Sequence, residues 1–110
     1  MNALVFDCPY LKGDVELTDE RKIHITLQHP DLLPEFSMQL EQTLAAPHQI
    51  RRSLRMSSAR MFYRWYDDVR KGKYIVVVVV SESTPVVRHW IITAYLTNRL
   101  ANGEIEWQKI

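Results

Sequence analysis

Cysteine is nearly absent from this chain of 110 residues, in which Cys8 is the only one. One molecule can therefore form no internal disulfide and no cysteine-based metal site, and we expect Cys8 to be a small buried apolar residue. Long apolar runs are absent too, because the longest, residues 75–80, is far too short to span a bilayer. The first residues have neither the basic start nor the hydrophobic stretch of a signal peptide. These absences predict a cytoplasmic protein that has no association with membranes.

The composition is otherwise ordinary for a globular protein, with 46% apolar and 25% charged residues. A chain of this length is long enough to bury a modest core by itself. It contains no internal repeat, no low-complexity tract and no stretch that reads as a linker. We therefore expect one domain that spans residues 1–110.

Basic residues are unevenly distributed, although the net charge is only +1. Residues 48–74 hold eight Lys or Arg against two Asp, whereas residues 1–47 hold three Lys or Arg against eight Asp or Glu. The basic segment also contains the aromatic run Met-Phe-Tyr-Arg-Trp-Tyr at residues 61–66. Arginines next to aromatic side chains are typical of proteins that hold phosphates and stack on bases. A polyanion, and first of all a nucleic acid, is therefore the first hypothesis for a partner.

The first half of the chain predicts a short strand or hairpin arm followed by two helices. Residues 1–17 form the arm, and Thr18 is a suitable N-cap for a helix over residues 19–28, because acidic residues follow it in the first turn. Ile23 and Leu27 recur at i,i+4 and are expected to cover one side of the sheet. The second helix should begin at Pro34, bury an apolar stripe and end before Pro47. The members of that stripe are Phe36, Leu40 and Leu44.

The second half changes to an alternating pattern that predicts strands. Hairpin spacing between them indicates an antiparallel sheet, and the segment over residues 74–80 is apolar on both faces, which only a central, covered strand tolerates. Residues 96–102 could form a short turn of helix. The predicted fold is therefore α+β, with two N-terminal helices packed on a four-stranded antiparallel sheet. Its four strands are residues 48–53, 60–66, 74–80 and 89–95.

Alternation also predicts which side chains share a face of this sheet. In the last strand it groups His89, Ile91, Thr93 and Tyr95, and this is the more polar set. In the aromatic strand neither face is purely polar, because alternation places Arg60, Phe62, Arg64 and Tyr66 opposite Met61, Tyr63 and Trp65. The period alone leaves open which face carries the function. Arg51, Arg60 and Arg64 could nevertheless face a common site with the first helix and Thr93.

Metal-free cleavage of RNA needs a group that takes the 2′-hydroxyl proton, a group that protonates the leaving oxygen and donors that hold the developing charge. Histidine suits proton exchange at neutral pH, and arginine can hold phosphate through two hydrogen bonds. His24 and His29 lie five residues apart, about 140° around a helix, which argues against a shared metal ion. The candidates for these roles are His24 and His29 for the protons, Arg51, Arg60 and Arg64 for phosphate, and Thr93 or Tyr95 as hydroxyl donors.

The order of several segments resembles a known group of nucleases. The segments are LTDERKIHITLQHPDL, LEQTLAAPHQIRRS, RMFYRWY, KYIVVVVV and WIITAYLT. Together they resemble the phage and cyanobacterial-type domains grouped with barnase, EndoU, colicin E5/D and RelE-like nucleases, and the resemblance covers residues 15–106. It implies N-terminal helices on a four-stranded antiparallel sheet and cofactor-free, metal-independent ribonuclease activity, often in toxin or phage contexts.

The resemblance also implies roles for individual residues. It implies catalytic roles for His24, His29, Arg60 and Thr93, and substrate-binding roles for Arg51, Tyr63 and Tyr95. Arg64 joins the substrate-binding set on its chemistry alone, as a guanidinium that can hold phosphate. One position departs from the pattern, because Gln28 precedes His29 where a basic residue is expected. The implied partners are single-stranded RNA and an antitoxin or immunity protein.

Each candidate also has a structural interpretation that needs no catalysis. His24 would be a partly buried polar residue whose hydrogen bond is made by a neighbour, and His29 would cap the last carbonyls of its helix. Arg51 would lie on a solvated strand edge and discourage pairing of that edge with other chains. Tyr63 would be a core aromatic residue, and Thr93 a strand former. The competing function is therefore a non-catalytic module that binds a partner protein or RNA through its basic, aromatic sheet face, or forms a homodimer. Its binding anchors would be Met61, Phe62 and Trp65.

Overall fold

In the computed structural model, which describes residues 3–110, seven strands form one mixed sheet that is flanked by two helices. The order across the sheet is β1-β2-β6-β5-β4-β3-β7. Neighbouring strands are antiparallel except for β2 and β6, which are parallel. The elements are β1 Ala3–Cys8, β2 Gly13–Thr18, α1 Asp19–Gln28, α2 Ser37–Ala45, β3 Gln49–Arg52, β4 Ala59–Tyr66, β5 Lys73–Glu82, β6 Arg88–Thr97 and β7 Glu104–Gln108.

The predicted arrangement on a four-stranded antiparallel sheet is wrong. The amino-terminal arm is a full hairpin, β1 and β2, which joins the sheet through parallel pairing of Val15 with His89. At the other edge, β7 pairs with β3 and adds a strand that the sequence prediction lacked. The predicted helical turn over residues 96–102 is also wrong, because β6 continues to Thr97 and bends follow it. The prediction for β5 is correct, since this strand is the middle one of seven.

Helix α1 has the predicted bounds but buries a different face. The Thr18 hydroxyl accepts a hydrogen bond from the Arg21 backbone N–H at 3.2 Å, which fixes the N-terminus. Ile25 is fully buried, whereas Ile23 and Leu27 are 60% and 73% exposed. The expectation that these two cover the sheet is therefore wrong. The helix lies beside β6 near the end of β2, and Arg21 Nη1 donates to the carbonyl of β6 residue Ile92 at 3.2 Å.

Helix α2 packs on the sheet through the predicted stripe. Leu40 and Leu44 are buried, and Phe36 is partly buried just before the first turn. The helix begins at Ser37, three residues later than predicted, because turns precede it. In these turns the Phe36 N–H donates to the Leu32 carbonyl at 2.8 Å.

The sheet has two faces of different character. The helical face carries the main core, which joins both helices to Phe62, Val77 and Ala94. The far face carries a smaller cluster around Met61, Tyr63 and Val76, which is partly covered by Leu100. Strand pairing assigns the following residues to the far face: Gln49, Arg51, Met61, Tyr63, Trp65, Tyr74, Val76, Val78, Thr93 and Tyr95.

A bulge in β6 changes which of its residues share a face. Val78 pairs with Thr93 but Val79 pairs with Ile91, so Ile92 is an extra residue. His89 and Ile91 consequently lie on the helical face, whereas Thr93 lies on the far face. The expectation that alternation keeps all of them together is therefore wrong.

Candidate functional site

Five of the predicted site residues lie on or beside the far face, where contacts join Arg51 to Tyr63 and His29 to Tyr95. The Arg51 guanidinium lies 5.8 Å from the centre of the Tyr63 ring. Tyr63 and Tyr95 flank Val76 from the two neighbouring strands, and Thr93 lies two positions before Tyr95 on the same side of β6. The His29 ring lies 5.9 Å from the Tyr95 ring. This group, His29, Arg51, Tyr63, Thr93 and Tyr95, is called the far-face cluster below.

The end of α1 places His29 in this cluster. His29 is the C-cap residue, and its backbone N–H donates to the Ile25 carbonyl at 2.7 Å. Its non-helical backbone turns the chain at the end of the helix, and the half-buried ring lies beside Tyr95. Burial raises the pKa of Tyr95, so its hydroxyl stays protonated at neutral pH and can donate a hydrogen bond. The cluster therefore combines a histidine with an adjacent O–H donor.

Tyr63 is the floor of the cluster. Its side chain is fully buried, and its hydroxyl donates to Met61 Sδ at 3.3 Å. Burial, with a smaller contribution from Tyr95, raises the pKa of Tyr63 to about 12. A buried ring is not available for stacking on a base, so Tyr63 supports its neighbours from below.

Arg51 is held in place and keeps part of its donor capacity. Its Nε donates to Gln49 Oε1 at 2.5 Å, and its Nη1 donates to the Ala101 carbonyl at 2.7 Å. Within residues 3–110, Nη2 makes no hydrogen bond. The half-buried guanidinium can thus offer Nη2 to an anion while its other nitrogens fix its orientation.

Arg60 and Arg64 do not join this cluster. Alternation along β4 places both on the helical face, so the expectation that they share a site with Arg51 is wrong. Arg64 Nη1 donates to the Ala46 carbonyl at the end of α2, 2.6 Å away, and its guanidinium lies over the Tyr66 ring. Its Nε is buried and has no partner among the residues that the structure describes.

Two further histidines, the candidate His24 and His89, lie outside this cluster. His24 is half-buried on α1, and no hydrogen bond or ring contact joins it to the far-face cluster within residues 3–110. His89 lies on the helical face, where its Nδ1 is 2.6 Å from the Ser81 hydroxyl. Burial, and then the nearby Arg60, lower the pKa of His89, which keeps its ring neutral at pH 7.

A polar cluster on the helical face was missed by the sequence prediction. Glu106 on β7 accepts hydrogen bonds from Arg60 Nε at 2.7 Å, from Arg52 Nε and Nη2 at 3.0 and 2.7 Å, and from the Tyr10 hydroxyl at 2.5 Å. Burial alone would raise the pKa of Glu106, but these hydrogen bonds outweigh it and the pKa is lowered. The group Tyr10, Arg52, Arg60 and Glu106 is called the Glu106 cluster below. Its contacts cross-link three distant parts of the chain.

The sequence contained one signal for this cluster. Glu104, Glu106 and Gln108 alternate with Ile105 and Trp107, which is the period of a strand. A strand there would have brought an acid beside the basic segment. The signal is short, and nothing local to residues 104–108 indicates which strand they pair with.

The fold and the far-face cluster define a protein of mixed-sheet architecture with histidine, arginine and hydroxyl side chains on one face of the sheet. Comparison with protein-family models, with curated proteins and with solved structures finds no match to this chain. In residues 3–110, no helix is long and apolar enough to cross a membrane. The same residues contain no group of three His, Cys, Asp or Glu side chains that could hold a metal ion.

Proposed function

We propose that this chain is a metal-independent ribonuclease that binds single-stranded RNA across the far face of its sheet. The observation that carries the proposal is the contact of His29 with Tyr95 on the face that also presents Arg51 and Thr93. The resemblance of the sequence to barnase-like and RelE-like nucleases supports the same activity. A toxin or phage context, an antitoxin or immunity partner and a cytoplasmic location belong to this proposal.

The proposed reaction is attack of the ribose 2′-hydroxyl on the adjacent phosphorus. The bond between the 2′ oxygen and phosphorus forms, the bond from phosphorus to the 5′ oxygen breaks, and a 2′,3′-cyclic phosphate and a 5′-hydroxyl result. His29 accepts the 2′ proton, and the Tyr95 hydroxyl is the neighbouring O–H that can supply a proton to the leaving oxygen. The Thr93 hydroxyl, two positions before Tyr95 on the same face, stabilises the charge that develops on the nonbridging oxygens, and Arg51 Nη2 holds a neighbouring phosphate of the strand.

Arg60 and Arg64 have no catalytic part in this scheme. Arg60 is paired with Glu106, and Arg64 is bonded to the end of α2, both on the other side of the sheet. Arg70, Lys71 and Lys73 lie in or beside the loop before β5, where basic side chains can steer a polyanion by long-range attraction.

The competing function, a module that binds a partner protein through exposed aromatic residues, loses two of its three anchors. Phe62 is fully buried and Met61 is 7% exposed, so neither can be a contact residue. Of the three, Trp65 alone reaches the surface. A protein interface centred on these side chains is therefore not favoured.

The decisive experiment incubates the purified protein with mixed single-stranded RNA in the presence of EDTA. We expect cleavage with 2′,3′-cyclic phosphate ends, and a loss of about 10²- to 10⁴-fold in rate for His29→Ala. His24→Ala is the matched control, because it removes a histidine from the same helix that does not contact Tyr95. Equal rates for His29→Ala and the unaltered protein would contradict the assignment of His29. No cleavage and no retention of RNA at high protein concentration would contradict the function itself.

A further inference from the structure

An aromatic groove lies on the far face beside Arg51. Its volume is about 370 Å³, within the range of about 300–1,000 Å³ that small-molecule sites occupy. It is lined by Trp65 and Tyr74, whose ring centres are 5.0 Å apart, by Tyr63 and by Leu100. The polar lining consists of His48, Gln49, Gln108 and Lys109. The far-face cluster and the groove share Tyr63, so the two sites are contiguous.

Trp65 is fixed in a position where it can act as a stacking surface. Its indole Nε1 donates to Asp67 Oδ1 at 2.6 Å, and the ring packs closely against Gly72. A Cβ at Gly72 would lie 2.8 Å from Trp65 Cζ2, so only glycine allows this approach. Trp65 as a whole residue is 36% exposed. A rigid aromatic ring that is partly open to solvent can receive another planar ring at little entropic cost.

Hydrogen-bonding groups stand at the rim of the groove. The Gln49 amide nitrogen donates to Gln108 Oε1 at 3.3 Å, and both amides retain further donor and acceptor capacity. His48 Nδ1 accepts from the Trp65 backbone N–H at 3.2 Å, so the proton of the neutral ring is on Nε2. Burial, then Arg64 and Lys109, lower the pKa of His48 and favour that neutral form. Amide edges and an imidazole N–H are groups that read the edges of bases.

We propose that this groove is a nucleobase subsite, in which one base of the RNA strand stacks on Trp65 and hydrogen-bonds to Gln49 or Gln108. The proposal rests on the proposed function, because it places the base next to the phosphate that Arg51 holds. Lys109, at the same rim, is positioned to attract the phosphate on the other side of that nucleotide. Base selection by the enzyme would then arise from the two glutamine amides.

The test is an NMR titration of the protein with the four nucleoside 3′-monophosphates and with ribose 5-phosphate, which lacks a base. We expect at least one nucleotide to shift the signals of groove residues, ribose 5-phosphate to leave them unchanged, and Trp65→Ala to weaken binding by about tenfold. Trp107→Ala is the matched control, because Trp107 is 37% exposed but lies on the helical face. Trp65→Phe, which keeps an aromatic ring, should retain most of the affinity.

The outcomes separate this subsite from the ribonuclease activity. Nucleotide binding that depends on Trp65, without cleavage of RNA, would support the nucleobase subsite and contradict the ribonuclease activity. If Trp65→Ala cleaves RNA at an unchanged rate and no nucleotide binds to the groove, the nucleobase subsite is contradicted and the ribonuclease activity is supported. Equal weakening by Trp65→Ala and Trp107→Ala would also overturn the subsite.

Discussion

Replacing Glu106 with glutamine should destabilise the fold substantially. Its carboxylate is the common acceptor of Arg52, Arg60 and Tyr10 and is the acidic partner of both arginines. Glutamine preserves the shape of the side chain and one acceptor oxygen but removes the charge. Two guanidinium groups would then lose their counter-charge in a half-buried position.

The expected size of the effect follows from burial. The Arg60 and Glu106 side chains are 20% and 19% exposed, whereas Arg52 is 37% exposed. Surface pairs contribute about 0–1 kcal/mol, and breaking a buried pair costs about 3–5 kcal/mol. The pair here lies between these limits, so we expect the free energy of unfolding to fall by about 2 kcal/mol. For a domain of this size, that corresponds to a fall in Tm of about 8–16 °C.

The loss should also depend on pH in a defined direction. The pKa of Glu106 is lowered in the folded state, so its stabilising contribution is full above the ordinary value of 4.5 and disappears as pH falls through the folded value. The stability difference between the unaltered protein and Glu106→Gln should therefore be largest near neutral pH and shrink below about pH 4.5.

Urea unfolding at pH 7 and pH 3 measures both quantities, with Glu104→Gln as the matched control. Glu104 is exposed on the same strand and forms no ion pair within residues 3–110. A loss below about 0.5 kcal/mol for Glu106→Gln, or an equal loss for Glu104→Gln, would refute the reasoning. So would a difference that stays constant between the two pH values.

Three further changes test the packing. The pKa of Tyr63 is raised to about 12 in the folded protein, so its contribution to the free energy of unfolding is full below pH 10 and is lost as pH rises above it. Between pH 10 and 12, urea unfolding should therefore show that the unaltered protein loses about 2–3 kcal/mol more stability than Tyr63→Phe. Ile25→Ala should cost about 2–5 kcal/mol by chemical denaturation, whereas Leu27→Ala should change stability by less than about 0.5 kcal/mol. Gly72→Ala should lower Tm, because the φ of Gly72 is +103° and the Trp65 ring fills the space that a methyl group would need. Gly13→Ala is the control, because the space around Gly13 has room for a methyl group. Equal Tm values for the two variants would contradict this reasoning.

Local signals made part of the fold predictable from the sequence. The cap at Thr18 and the acidic first turn act within a few residues, and the bounds predicted for α1 are those of the structure. The central position of β5 followed from a strand that is apolar on both faces. The phase of α1 was not predictable in this way, because Ile23 and Leu27 lie on one side of the helix and Ile25 on the opposite side, and only the position beside β6 selects Ile25.

The remaining errors arise from long-range pairing. Parallel pairing of β2 with β6 joins residues far apart in sequence, and neither segment alone specifies its partner. The bulge at Ile92 reversed the alternation that had grouped His89 with Thr93. For the candidate site, alternation correctly separated Arg60 from Tyr63 on β4, but the face of Arg51 depended on its pairing with Met61. The far-face cluster could therefore be proposed residue by residue but not assembled from the sequence.

The parallel pairing of β2 with β6 has a consequence for how the protein is made. The amino-terminal hairpin and both helices are synthesised before the strands that cover them, and Val15 cannot reach His89 until β6 has left the ribosome. Until then, the buried side of α2 and the valines of β5 have no complete core to enter. Contacts between such distant segments slow folding, and exposed apolar strands favour association with other chains. The nascent chain should consequently depend on chaperones more than its modest length would suggest.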